Sequence, residues 1–378
     1  MRILDRYIKD RIIKSLIPNK VVVLLGARRT GKTELLKVIL KEQKYSYLYL
    51  NGDDFSTHDL LLPQTAGNYN GLLADKELLV IDEAQKVPDI GQKLKLIVDT
   101  VKGIRVLVTG SSAFDLTHKM GEPLTGRKIT FHLFPLAQIE YNQIESPVDT
   151  KSNLPVKLVY GNYPELLQYS APEDKSAYLQ ELVNSYLLKD ILEFDGIKNA
   201  RKIRDLLRLL AYQTGKDGSL NELGRQLGLH KDTVGRYLDL LSKVFVIYRL
   251  GGFSRNLRKE VSKMDRWYFY DNGVRNVLIN NLNPLHTRND QGELWENYIL
   301  SERIKIQHYK GMLVTNYFWR TYQQQEIDWI EEREGKLYAY ELKWNPGKKV
   351  KIPTSWKTAY PGSEFRIIHP SAYLDWIT

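Results

Sequence analysis

The chain of 378 residues carries 43% hydrophobic and 26% charged residues with a net charge of +10, the profile of a globular protein of about two or three domains. It contains no Cys, which excludes disulfides, thiolate zinc sites and thiol catalysis, and its seven scattered His offer no pair at metal-ligand spacing. No apolar run approaches the roughly 20 residues of a membrane span, and MRILDRYIKDR has charges where a signal peptide needs an apolar core, so a cytoplasmic protein without membrane contact is expected.

Apolar positions at Ile3, Leu4, Ile8, Ile12, Ile13 and Leu16 predict a helix that ends before Pro18 and packs beside the first strand. Val21 to Leu25 form an uninterrupted apolar run and read as a buried parallel strand. The next residues, GARRTGKT, match GxxxxGK[ST] in full from Gly26 to Thr33. A strand before and a helix after are the context in which this pattern cradles phosphates. Gly26 and Gly31 let the backbone turn tightly through Ala27, Arg28, Arg29 and Thr30 with its N–H groups inward, and the helix TELLKVILK presents its positive dipole end. Lys32 is expected to reach the β- and γ-phosphates of ATP, and Thr33 to hold Mg²⁺. Arg28 and Arg29 are either nucleotide contacts or solvent-facing charges at the loop's variable positions.

Tyr45 to Asn51 reads as a second strand, and Leu78 to Ile81 as a third that delivers Asp82 and Glu83 at its carboxyl end, where ligands bind in open α/β sheets. Asp82 is the expected Mg²⁺ partner, and Glu83 is placed to polarise the water that attacks the γ-phosphate. The strand between loop and acids, and the acid directly after Asp82, favour the hydrolytic branch of these folds over the simple kinase branch. Ile104 to Gly110 predicts the next strand, which ends in Ser111 and Ser112. Those hydroxyls either sense the γ-phosphate or orient the water, or else belong to a plain strand-to-helix turn. Lys128 to Phe134 is a fifth strand. Arg127 before it reads either as a guanidinium for the γ-phosphate of its own or a neighbouring subunit, or as a solvated arginine.

Together GARRTGKT, LLVIDEAQ, VTGSSAFDL, LTGR with PLAQIE, and YGNYPEL resemble the archaeal and bacterial AAA-type ATPases related to the signal-transduction (STAND) NTPases. The resemblance covers nearly the whole chain. It implies an ATPase domain, then a winged helix, then a C-terminal domain similar to restriction-endonuclease-like folds.

The second half, read from its residues, agrees. Lys175 to Asp195 is predicted helical, with Tyr178, Leu179, Leu182, Val183, Tyr186 and Leu187 on one stripe. Ser219 to Leu241 holds two helical patterns joined at Gly228, Leu229 and His230, a helix-turn-helix, and Val244 to Leu250 and Arg266 to Asp271 supply strands for a wing. Residues 198–260 hold 14 Lys and Arg against 6 Asp and Glu, so most of the net charge lies here. Lys231, Arg236, Arg255, Arg258 and Lys259 form a candidate footprint for the DNA backbone; the alternative is a winged helix that packs inside the ATPase with its bases spread round the surface.

Residues 291–305 predict a helix containing Glu296, followed by strands YFWRTY, EIDWIEE and LYAYELKW. In the last strand Tyr338, Tyr340, Leu342 and Trp344 fall on one face, so Glu341 and Lys343 are expected on display together on the other. With Asp328 on the strand before, Glu296, Asp328, Glu341 and Lys343 resemble the PD-(D/E)xK nuclease pattern, in which carboxylates gather Mg²⁺ and the lysine assists water. A charged outer face of an ordinary hairpin has the same spacing.

The expected architecture is an α/β P-loop ATPase domain over residues 1–172, a helical linker and winged helix-turn-helix over 173–260, and an α+β nuclease-like domain over 261–378. Three functional classes stay open: an ATP- and Mg²⁺-dependent switch acting on DNA or a protein partner, an ATP-dependent nuclease, and a nucleotide-bound protein-interaction scaffold. An oligomer is compatible with each.

Overall fold

The computed structural model describes residues 4–111, 124–187, 199–255, 264–347 and 350–378. Ser112, Arg258, Lys259, the side chains of Tyr186 and Leu187, and the predicted helix beyond Leu187 lie outside the described residues. The chain forms two compact units, Met1–Leu136 with Lys243–Phe245, and Ala137–Ser242 with Val246–Thr378.

The first unit is built on strands β1 (Val21–Leu25), β2 (Tyr47–Asn51), β3 (Leu78–Asp82), β4 (Arg105–Gly110) and β5 (Lys128–His132). They pair in the order β2-β3-β4-β1-β5, every pair parallel. β1 and β3 are buried along their whole length, which is why they read as continuous apolar runs and not as alternations. Among the described residues the unit also holds helices α1 (Lys9–Ser15), α2 (Lys32–Glu42), α3 (Phe55–Leu61), α4 (Ala66–Leu72) and α5 (Ile90–Thr100). Leu4, Ile8, Ile12 and Leu16 are buried at every fourth position, as one helix-spaced stripe requires. Ile90, Leu94, Ile97 and Val98 of α5 join Val21, Val23, Leu79, Ile81 and Val106 in one core. Because β4 lies between β1 and β3, the carboxyl ends of all three strands open at the same edge of the sheet.

The second unit opens on a short helical turn, Gln138–Tyr141, followed by α6 (Pro147–Tyr160) and α7 (Pro172–Glu181), the latter continued by a π-helical turn, Leu182–Leu187. Tyr178, Leu179, Leu182 and Val183 are buried across that junction, so the first four positions of the predicted stripe keep one buried face through the change in helical pitch. Next come α8 (Ala200–Tyr212), β6 (Asp217–Gly218), α9 (Leu220–Leu227), α10 (Lys231–Lys243), β7 (Ile247–Gly252) and β8 (Asp265–Phe269). Ser219 accepts a hydrogen bond from Glu222 N at the start of α9, and Gly228 ends it with φ 63°, the two cap types that set a helix's length. Then follow α11 (Asn272–Leu278), α12 (Gln291–Lys310), β9 (Thr315–Arg320), β10 (Glu326–Arg333), β11 (Lys336–Leu342), α13 (Thr354–Ala359), β12 (Glu364–Ile368) and α14 (Leu374–Ile377).

Seven strands of this unit form one mixed sheet in the order β12-β11-β10-β9-β7-β8-β6. β7 meets β9 in parallel through Gly251–Tyr317 and Gly252–Phe318, so strands from both sides of residue 260 share a single ladder. Helix α12 is buried over most of its length, Glu302, Arg303 and Lys305 included. Arg303 grips Glu331 with Nε to Oε1 at 2.5 Å and Nη2 to Oε2 at 2.7 Å, while Lys305 Nζ donates to Glu302 Oε1 at 2.6 Å. Glu302 also accepts from Gln138 N at 2.6 Å and Asn162 Nδ2 at 3.0 Å. Asp271 accepts from Asn162 N at 2.7 Å, so the YGNYPEL stretch is pinned through Asn162 by two buried acids.

Replacing Arg303 with Met would leave the buried Glu331 without its bidentate cation. We expect Arg303→Met to lose about 3–5 kcal/mol of unfolding free energy, read from the urea midpoint of the second unit's transition; an unchanged midpoint would show that Arg333, Gln307 and Trp329 satisfy Glu331 without it.

Candidate active site

The phosphate loop occupies the turn from β1 into α2, at the carboxyl end of the sheet. A Cβ on Gly26 would stand 2.2 Å from Leu133 O, so only glycine permits the loop to pass this close to the residues after β5. Inside the loop Thr30 Oγ1 donates to Ala27 O at 2.8 Å. The buried Lys32 folds back, its Nζ on Gly26 O at 2.9 Å and Ala27 O at 3.1 Å. Arg6 braces the loop from outside: Nη1 donates to Thr30 O at 2.6 Å and Nη2 to Phe134 O at 2.7 Å, although Arg6 is only 8% exposed. Arg28 is half-buried and Arg29 exposed, the latter with φ 62°.

Asp82 stands opposite the loop at the end of β3, within reach of three hydroxyls. Its Oδ2 accepts from Thr33 Oγ1 at 2.7 Å and Tyr49 OH at 3.2 Å, and its Oδ1 accepts from Thr109 Oγ1. Burial, with the Asp82 charge beside it, pushes the Tyr49 phenol up to about 12, so it remains a donor. Thr33 and Asp82 are hard oxygen donors already in contact, which suits an ion that takes one or two protein oxygens and completes its shell with phosphate and water.

Glu83 follows with φ 49°, its N–H donating to Thr109 Oγ1 at 3.0 Å. Its side-chain Oε2 accepts from Gln85 Nε2 at 2.6 Å, and the same amide nitrogen donates to Ser111 Oγ at 3.2 Å. Ser111 is buried just beyond β4, whose Gly110 lies opposite Leu25 of β1, so it belongs to the same edge of the sheet. The structure therefore brings together the loop, Lys32, Thr33, Asp82, Glu83 and Ser111.

Arg127 is not brought to them. It precedes β5, whose Lys128 is paired with Val21 at the amino end of β1, while the loop leaves from the carboxyl end at Leu25. Five residues of strand separate the two ends, roughly 15 Å at about 3.3 Å per residue. Arg127 Nε instead donates to Asp99 Oδ1 at 2.7 Å. The strand polarity removes it from the γ-phosphate position of its own loop.

In the second unit Glu296, Asp328, Glu341 and Lys343 do assemble. Lys343 Nζ lies 2.6 Å from Glu341 Oε1 and 3.4 Å from Asp328 Oδ2, and Asp328 Oδ2 also accepts from Leu342 N at 2.8 Å. Tyr268 OH donates to Glu296 Oε1 at 2.7 Å. The expected display of Glu341 is corrected: it is 8% exposed and Asp328 5%, because both faces of the hairpin are enclosed. On β11, Leu337, Ala339 and Glu341 alternate onto one face, where Leu337 and Ala339 pack with Ile327, Ile330, Trp356 and Tyr360, while Tyr340 on the opposite face lies against Trp376. Burial, then the neighbouring Asp328 charge, pushes Glu296 up to about 8 and Glu341 up to about 7. Among the described residues no group of three His, Cys, Asp or Glu side chains is placed to hold a metal ion. Here the Lys343 ammonium stands between two carboxylates.

The basic residues of the helix pair are dispersed. Lys231 and Arg236 are exposed on α10, whereas Arg255 is engaged by Glu332 at 2.8 Å; Arg258 and Lys259 lie outside the described residues. Sequence reading missed Arg6, Tyr49, Thr109 and Gln85. Gln85 stands inside the LLVIDEAQ stretch, but the others have no local pattern that marks them.

The buried cluster has a pH signature. In the folded chain Glu296 and Glu341 keep protons up to about 8 and about 7, against an ordinary value of 4.5. The folded state thus binds more protons than the unfolded one through that window, and the cluster's contribution to stability falls as pH rises. We expect Glu296→Gln to gain in melting temperature on wild type progressively from about pH 5 to about pH 8. A constant difference across that range would refute the shift.

Residues 18–142 match a family model described as an AAA domain, and residues 152–285 and 291–372 match two described as domains of unknown function, DUF8612 and DUF4143. An uncharacterised protein of Mycobacterium tuberculosis is 28% identical over 338 residues, covering 88% of this chain and 72% of that protein. One from Methanocaldococcus jannaschii is 24% identical over 351 residues, covering 86% and 76%. Among solved structures, the chain is similar to a signal-transduction ATPase with numerous domains carrying a tetratricopeptide repeat sensor, from Pyrococcus horikoshii (14% identity, TM-score 0.27), and covers 45% of its length with 80% of its own. A second, Cdc6p from Pyrobaculum aerophilum, is 16% identical with TM-score 0.26, covering 69% of this chain and 87% of that one. The match over residues 18–142, on a parallel five-stranded sheet with a GxxxxGKT turn at its carboxyl edge, makes the first unit an AAA-type P-loop ATPase fold.

Proposed function

We propose that the protein is a Mg²⁺-dependent ATPase whose nucleotide state acts as a switch on DNA. The observation that carries the first part is the Thr33–Asp82 hydrogen bond of 2.7 Å beside Lys32, which couples the helix leaving the phosphate loop to the acid-bearing strand. Thr33 and Asp82 would hold Mg²⁺, which when bound neutralises phosphate charge. Lys32 would leave Gly26 O and Ala27 O for the β- and γ-phosphates, while the loop amides and the start of α2 take the remaining charge. Glu83, one residue beyond Asp82, draws the proton from the attacking water. Lys32→Ala is expected to abolish ATP binding, and Glu83→Gln to keep binding while turnover falls by at least about 100-fold. Equal phosphate release by wild type and Glu83→Gln would refute that role.

DNA engagement rests on the second unit. The order α8–β6–α9–α10–β7–β8, with β8 antiparallel to both β6 and β7, supports the winged-helix reading, in which α10 is the groove-facing helix. Lys231 and Arg236 project from it as phosphate contacts. If so, the slope of log affinity against log salt for duplex DNA should fall by about 2 in the Lys231→Ala/Arg236→Ala double variant. An affinity insensitive to salt would favour a protein partner over DNA.

A nuclease is the second reading, supported by the meeting of Glu296, Asp328, Glu341 and Lys343 on the run α12–β9–β10–β11. It requires cleavage of DNA in Mg²⁺ or Mn²⁺ that disappears in Asp328→Ala. Intact DNA under both metals would leave this module as a nuclease-like fold without the activity.

A further inference from the structure

We infer that Gln85 positions the attacking water together with Glu83, an assignment that rests on the ATPase reading above. The side-chain amide of Gln85 makes two contacts through one atom: Nε2 donates to Glu83 Oε2 at 2.6 Å and to Ser111 Oγ at 3.2 Å. The orientation of that amide follows from chemistry, since a carboxylate accepts only and the atom facing it must carry hydrogen. The other amide atom is therefore the carbonyl oxygen. Gln85 Oε1 is buried and, among the described residues, has no hydrogen-bond partner. A buried amide oxygen left unpaired bears its desolvation penalty with nothing to offset it, and such an orphan beside a catalytic carboxylate calls for a donor supplied in the working complex.

Water is that donor. The backbone beneath the pair is held fast, because Glu83 N is tied to Thr109, and a Cβ on Gly52 would stand 2.2 Å from Glu83 O. Glu83 keeps its left-handed backbone within this frame, and Gln85 sets the direction of its carboxylate. One hydrogen of the water is held by Gln85 Oε1 and the other points at the Glu83 carboxylate. As the water oxygen forms its bond to the γ-phosphorus, Glu83 takes the second hydrogen as a proton. The bond from that phosphorus to the β–γ bridging oxygen breaks, its electron pair leaving with ADP, and the proton passes from Glu83 to the product phosphate or solvent. Ser111, through the shared Nε2, fixes the amide from the end of β4.

The test is steady-state phosphate release by the full chain, paired with binding of a fluorescent non-hydrolysable ATP analogue, for wild type, Gln85→Met, Glu83→Gln and the double variant. Gln85→Met keeps side-chain length without donor or acceptor. It is expected to lower kcat by about 100-fold, as loss of one preorganised contact does elsewhere, with analogue affinity within about twofold of wild type. Added to Glu83→Gln it should cost nothing more, since two groups serving one water do not act additively. Wild type that releases no phosphate would overturn the ATPase reading and this assignment with it. Wild type that turns over while Gln85→Met does so within about threefold would overturn only the assignment. A loss of analogue affinity equal to the loss of kcat, or an additive double variant, would make Gln85 a structural residue and overturn it too.

Discussion

One carboxylate organises the first unit. Asp82 at the end of β3 receives hydroxyls from Thr33 on α2, Tyr49 on β2 and Thr109 on β4, so four elements converge on two oxygens. The convergence depends on the sheet being wholly parallel with β4 between β1 and β3, which brings the ends of neighbouring strands to one level. An antiparallel neighbour would carry its hydroxyl to the far edge. The apolar core beneath is ordinary in composition; its function is to hold those strand ends in register within a fraction of an ångström, since close packing resists small shifts.

The second unit is held together differently. Glu302, Arg303, Lys305, Glu331 and Asp271 are all buried, and each is paired or multiply hydrogen-bonded. Burying charge costs several kcal/mol per ion before pairing, so such a core is fixed in one arrangement more than it is stabilised by it. The carboxylate cluster at Glu296, Asp328 and Glu341 is the exception, because one ammonium serves two of the three acids there and protons supply the remainder. The same groups that suggest nuclease chemistry thus also explain how the unit tolerates them at rest.

Much of this was legible in the residues. Buried strands announce themselves as apolar runs, the phosphate loop is a local pattern of eight residues, and the helix pair around Gly228 follows from spacing and caps. Arg127 at its own loop and Glu341 on display are the two readings that did not hold, for one kind of reason. Arg127 lies close to a strand of the nucleotide-site sheet in sequence but at its wrong end in space, since sequence shows where a strand is and not which neighbour it pairs with. Glu341 was expected on display because alternation marks a polar face, yet alternation cannot say whether a second layer covers that face.

The sequence by itself determined the class of the first unit and the extent of its GxxxxGKT loop, because those depend on contiguous geometry: a strand, a turn that glycine permits, and a helix end. Only the tertiary structure decided the company they keep. Arg6 on the loop, Tyr49 and Thr109 on Asp82, and Gln85 linking Glu83 to Ser111 mostly join residues far apart in the chain, and side chains from separate strands meet only once sheet order and register are set.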